Sequence, residues 1–168
     1  MQFKNVAFLA AGALVVAACG GGEKAAESTP AASAPAAAPA PAAATTTGSA
    51  APITGKTIEV KMIVDAKGSR FEPANITAKA GDGIKFIVEG PGGPHNVAFD
   101  PAKIPADAKA QLDANFGTEK MGELMSSLKT APGEFILLSL GGLPAGKYDF
   151  NCTPHLAMGM KGTITIEP

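Results

Sequence analysis

An all-β sandwich with one short helical insertion is the fold that residues 56–168 predict, and three observations carry the prediction. From Lys56 onward, short segments rich in Ile, Val, Phe and Thr follow one another. Gly and Pro interrupt them roughly every ten residues, the spacing of strands and turns in a sandwich. Inside several segments apolar and polar residues alternate, the two-residue period of a strand with one buried face.

In chain order, Ile58, Val60, Met62 and Val64 alternate with Glu59, Lys61 and Ile63 and give a half-buried first strand. Phe71 to Ala80 reads as a bent second strand, Ala80-Gly81-Asp82-Gly83 as a turn, and Ile84 to Glu89 as a third strand. Between Pro105 and Thr130 the β pattern breaks. Met121, Leu124, Met125 and Leu128 fall at i, i+3, i+4, i+7, and Thr118 stands where an N-cap belongs, so a short amphipathic helix is expected there against the sandwich. Its methionines are read as gap-filling core, because no histidine lies nearby to make a second metal site with them. Glu134 to Leu140, Lys147 to Cys152 and Gly162 to Glu167 supply the remaining strands, with turns at Gly141-Gly142 and Pro144-Ala145-Gly146.

Upstream of the domain the chain is built differently. After Met-Gln-Phe-Lys an apolar run from Val6 to Ala18 ends in small residues before Cys19. The run is shorter than the roughly 20 residues of a membrane-spanning helix and matches the apolar region of an export signal, assigned to residues 1–18. Val16-Ala17-Ala18-Cys19 resembles a bacterial lipobox, in which the cysteine is lipidated and becomes the mature N-terminus. Residues 19–55 are Ala, Pro, Thr, Ser and Gly with almost no large apolar side chain, so they are expected to form a disordered tether. Its proline content favours extended conformations with a reach on the order of 100 Å. These features imply an exported protein of the periplasm or cell envelope, membrane-anchored through lipidated Cys19, in an oxidising compartment.

Composition excludes some functions. The 168 residues carry 14 basic and 15 acidic side chains, a net charge of −1, with no basic stripe to meet a polyanion, so nucleic acid is not an expected partner. Two histidines and two cysteines in the whole chain restrict the metal chemistry to one small site.

That site is expected around the segment Asn151-Cys152-Thr153-Pro154-His155-Leu156-Ala157-Met158-Gly159-Met160. It offers a thiolate, an imidazole and two thioethers on one loop between strands. A type 1 copper centre needs a thiolate, two imidazoles and a weak axial thioether, a set intermediate between the preferences of Cu(I) and Cu(II). The remaining histidine is His95, in Gly92-Gly93-Pro94-His95-Asn96-Val97. The ligand set is therefore His95, Cys152 and His155 with a methionine, and Met158 and Met160 compete for the axial place. A disulfide between Cys152 and Cys19 is disfavoured by lipidation of Cys19 and by the intervening tether.

Pro94-His95-Asn96-Val97-Ala98-Phe99-Asp100, Ile104-Pro105-Ala106 and Tyr148-Asp149-Phe150-Asn151-Cys152-Thr153-Pro154-His155 give residues 56–168 a resemblance to the cupredoxin family. The match is plastocyanin-like, and the loop from Cys152 to Met160 is also similar to that of pseudoazurin. The resemblance implies a Greek-key sandwich with one copper near one end, and it selects Met160 over Met158 as axial ligand. It also implies that Asn96 joins the His95 and Cys152 loops by hydrogen bonds, and that the ring edge of His155 reaches the surface. Asn151 stands where plant plastocyanins carry a tyrosine, so a photosynthetic partner does not follow.

The expected function is a monomeric one-electron carrier between a redox donor and acceptor of the cytochrome or oxidase type. A copper carrier or buffer without electron transfer is the alternative. An enzyme is not expected, since four ligands leave no open metal position and no further histidines remain for another copper centre. Leu156 and Met158 beside His155 suggest an apolar docking face, with Lys103 and Lys161 at its rim for weak steering.

Overall fold

The computed structural model describes residues 48–91 and 93–168. The export signal assigned to 1–18, Cys19 and most of the tether lie outside the described residues. Among the described residues, no helix is long and apolar enough to cross a membrane.

Among the described residues, ten strands and one α-helix follow in the order β1 Thr57–Asp65, β2 Gly68–Glu72, β3 Asn75–Lys79, β4 Gly83–Glu89, β5 Ala98–Phe99, α1 Ala106–Ala114, β6 Lys120–Gly122, β7 Met125–Ser126, β8 Phe135–Ser139, β9 Gly146–Asn151 and β10 Lys161–Glu167. One sheet has the order β2-β1-β4-β8 and the other β3-β10-β9-β5-β7-β6. The β1–β4 and β3–β10 pairs are parallel and the remaining strand pairs antiparallel, as connections passing between two sheets require.

Alternation sets what each strand buries. Val60 and Met62 of β1 turn inward with Ile84, Phe86 and Val88 of β4, while Lys61 reaches Glu89 and Lys85 reaches Glu59 on the outer face. From the opposite sheet Tyr148 and Phe150 of β9 and Ile164 and Ile166 of β10 complete the core. Phe150 meets Phe71 and Phe86 edge-on with centroids 4.7 and 5.3 Å away, so aromatic packing joins the two sheets at mid-core.

The expected all-β sandwich stands, with three departures in detail. Phe71 to Ala80 is not one bent strand but parts of two, β2 and β3, which belong to different sheets. Pro73 between them has no N–H for a ladder, so the chain leaves one sheet there and enters the other.

The helix also lies elsewhere. It is α1, and the stretch around Met121 to Leu128 forms the short strands β6 and β7. Leu124 has φ 52, a left-handed conformation incompatible with a helix, and its N–H donates to the carboxylate of Asp113 at 2.7 Å. Leu124 is buried, while Met121 and Leu128 are exposed, so the apolar spacing does not mark one helical face. In α1 only Ala108 and Leu112, four residues apart, are buried.

The third departure concerns residues 51–55, expected in the tether. Ala51 N–H donates to Asn115 at 2.9 Å, and the N–H groups of Thr54 and Gly55 donate to the Gly81 carbonyl, each at 2.9 Å. These residues therefore cross the end of the sandwich where β4 starts, far from the end where His95 lies.

Candidate metal centre

Two chain segments build the site, and backbone hydrogen bonds fix each before any side chain is considered. β9 and β10 are antiparallel with Asn151 opposite Lys161, so Cys152 and Met160 face each other at the mouth of the hairpin. The N–H of Cys152 donates to the Met160 carbonyl at 3.1 Å and closes the loop. Inside it Thr153–Met158 forms a 3-10 turn whose early Pro154 suits a helical start, and Gly159 at φ 81 ends it with a left-handed residue that favours glycine.

His95 comes from the other segment. It exchanges two backbone hydrogen bonds with Lys129, each 2.8 Å. Just beyond, the N–H of Val97 donates to the buried Ser126 hydroxyl at 3.0 Å. Asn96 ties the two segments, accepting from the Thr153 N–H at 2.7 Å and donating through Nδ2 to the Thr153 hydroxyl at 3.3 Å. The cross-loop role expected of Asn96 is thus present in the geometry. Ser126 and Lys129 were not singled out in the sequence, because a hydroxyl and a main-chain pairing leave no signature there.

The side chains converge. Donor atoms of His95, Cys152 and His155 all lie within 4.8 Å of one another, and all three residues are buried. Cys152 Sγ is 3.7 Å from His95 Nδ1 and 3.4 Å from His155 Nδ1, so both rings turn the same nitrogen toward the sulfur. The ring centroids are 4.8 Å apart. Met160, opposite Cys152 across the hairpin, is fully buried. Met158 is exposed and accepts a hydrogen bond from the Ser69 hydroxyl at 3.6 Å. Cys19 lies outside the described residues.

Burial pushes the Cys152 thiol up, and the N–H groups of Asn96 and His155 draw it part of the way back. Burial lowers the His155 imidazole, which keeps the ring neutral with a lone pair to offer. A soft thiolate, two neutral imidazoles and a thioether suit copper, and the stretches 90–97 and 152–160 contain no Asp or Glu that would favour a hard cation.

The family model described as copper binding proteins, plastocyanin/azurin family, matches residues 58–167. Similar proteins include a plastocyanin of Prochlorothrix hollandica, 40% identical over 119 residues, which are 71% of this chain and 79% of that one. A plastocyanin of Nostoc punctiforme is 39% identical over 114 residues, 68% of this chain and 76% of that one. Oxidised plastocyanin of Dryopteris crassirhizoma, a solved structure, is 30% identical with a TM-score of 0.47 and is matched over 66% of this chain and 100% of its own.

Proposed function

The chain belongs to the plastocyanin/azurin family of copper binding proteins, and from that premise we propose that it is a one-electron carrier with its copper held by His95, Cys152, His155 and Met160. The observation that carries this is the buried convergence of Cys152 with both histidines at the mouth of a hairpin closed by Met160. Copper in such a donor set cycles between Cu(II) and Cu(I).

The protein's own part is to hold the donors in place and keep water out. Cys152 and Met160 are fixed by the β9–β10 ladder, His155 by the turn, and His95 by Lys129 and Asn96. Two segments pinned by hydrogen bonds resist rearrangement, so the same geometry serves both oxidation states. Four donors leave no place for a substrate, which favours a carrier over an enzyme.

Partners are redox proteins, a donor and an acceptor of the cytochrome or oxidase type, which dock on the apolar surface around His155. Exposed Leu156 and Met158 support this reading. The chain works as a monomer outside the cytoplasm, with residues 1–18 its export signal and Cys19 its lipid anchor. Cys19→Ala is expected to shift it from the membrane to the soluble exported fraction; unchanged membrane association would remove the anchor from this reading.

Adding Cu(II) to the chain from residue 48 is expected to give one bound copper, an intense blue colour and reversible reduction. Cys152→Ser should abolish the colour, which arises from thiolate-to-copper charge transfer. A blue Cys152→Ser protein would overturn the ligand assignment, and a blue protein that cannot be reversibly reduced would leave only copper storage.

A further inference from the structure

Cys152, His155 and Met160 lie on the loop of the β9–β10 hairpin, whereas His95 comes from a segment of its own. Its main chain pairs with Lys129 outside every strand, an isolated pair without the mutual support of a ladder. What fixes Lys129 therefore fixes His95 as well. On the downstream side the turn after Lys129 is anchored to the core strand β4: the Gly133 N–H donates to the Val88 carbonyl and the Val88 N–H to the Glu134 carbonyl, each at 2.9 Å. Pro132 offers no N–H, and Gly133 at φ 83 reverses the chain. The Glu134 carboxylate folds back over this turn and accepts from the N–H groups of Thr130 and Ala131, both at 2.7 Å. On the upstream side the N–H of Glu119 donates to the carbonyl of buried Phe116 at 3.2 Å, and its own carbonyl accepts from the Ser127 N–H at 2.9 Å. The Glu119 carboxylate accepts from the Ser127 hydroxyl at 3.2 Å and pairs with the ammonium of Lys129, whose side chain is only 17% exposed.

We infer that Glu119 and Glu134 are positioning residues for His95: from opposite sides they hold the Lys129 main chain with which His95 pairs, in place of the ladder a sheet would supply. The inference rests on the reading of His95 as a copper ligand and adds what keeps that ligand in place. Carboxylates suit the task because hydrogen bonds to an ionised acceptor are about twice as strong as neutral ones. Each carboxylate also takes two donors at once, so its removal frees both together. Lys129 is thus tied through Glu134 to β4 and through Glu119 to the residue after Phe116 and its core packing, although neither glutamate is near it in a sheet.

The test compares Glu134→Ala, Glu134→Gln and Glu119→Ala with the wild type. In the copper-free protein, amide hydrogen exchange of His95 and Lys129 is followed by NMR, since each N–H is a donor in the pair and its exchange reports the opening. Exchange at both amides is expected to rise on the order of tenfold in the two Ala variants. Glu134→Gln should recover much of the protection, because its side-chain oxygen still accepts. The Cys152 N–H and the β1–β4 ladder should keep their wild-type rates. In the copper-loaded protein, loss of copper to a chelator should quicken in the same order, by about tenfold in the Ala variants. Wild-type exchange at His95 and Lys129 in both Ala variants would overturn the inference, and because it is read without copper it would leave the copper reading intact. A uniform rise at every amide, with no recovery in Glu134→Gln, would also overturn it, by reducing both glutamates to general stability. So would faster exchange at the pair with unchanged copper loss, which would separate Lys129 from the hold on His95.

Discussion

The two ends of the sandwich bury polar side chains in opposite ways. At the end where β4 begins, Asn115 donates to the carbonyls of Ser139 and Gly141, both at 2.9 Å, and accepts from the Ala51 N–H and the Gln111 amide. Asp82 likewise accepts from the backbone of Lys56 at 3.0 Å and of Lys79 at 2.9 Å. At the other end Cys152, His95 and His155 direct ring and sulfur atoms at one another across 3.4 to 3.7 Å. Backbone satisfaction there is left to their neighbours, Asn96 and Ser126. Buried polarity aimed at the main chain holds the fold; buried polarity aimed at other side chains marks a site for a ligand.

The sharpest way to break this contrast is Asn115→Ala. It strips hydrogen-bond partners from two carbonyls at the buried end and should cost about 2–4 kcal/mol of unfolding free energy, read by guanidinium denaturation of the copper-free protein. The blue spectrum of the copper-loaded protein should be unaltered. A bleached Asn115→Ala protein would show that the two ends are not independent.

Asn96→Ala tests the other end. It frees the His95 segment from the ligand loop, and copper affinity should fall about 10- to 100-fold, the usual cost of losing a residue that orients ligands. Competition with a chelator measures it. If the copper-free variant instead loses as much stability as Asn115→Ala with copper affinity unchanged, the contrast between the ends fails.

A smaller effect is expected between the ends, at Asp113, whose carboxylate holds the Leu124 N–H and pairs with Lys120. Burial alone would raise its pKa, but the Lys120 and Leu124 hydrogen bonds outweigh it and hold the group below its ordinary 3.8. A depressed folded pKa adds stability above the unfolded value that disappears as pH falls through the folded one. Asp113→Ala should therefore cost about 1 kcal/mol near pH 7, and the difference from wild type should shrink below pH 3.8. Urea unfolding at several pH values would show it, and a gap that widens in acid would contradict the assignment.

The metal centre was legible in the sequence because its residue types are scarce. With two histidines and two cysteines, one of the latter in a lipobox-like sequence, few combinations remained, and the β9–β10 hairpin and the His95 segment bring the set together. The strands were legible where one face is wet, as in β1 and β9. Helix α1 was not, since Ala-Asp-Ala-Lys-Ala-Gln-Leu-Asp-Ala buries only Ala108 and Leu112 and carries no broad apolar stripe. The apolar spacing from Met121 to Leu128 misled because Asp113 and a left-handed Leu124 override it, contacts that exist only in three dimensions. Asn115 and Asp82 left no trace for the same reason: their hydrogen-bond partners are backbone groups brought near by the fold.

The path of residues 51–55 across the end where β4 begins bears on how a molecule would stand if immobilised. The seven residues of β4 run the length of the sandwich from there toward the loop before His95, a span of about 20 Å at the rise of a strand. A copy fixed to an electrode at residue 48 without slack would stand on that end with His155 outermost. Current between electrode and copper would then have to cross the whole hydrophobic core, while a soluble mediator could reach the opposite face directly. A copy fixed through a residue beside Leu156 would reverse both.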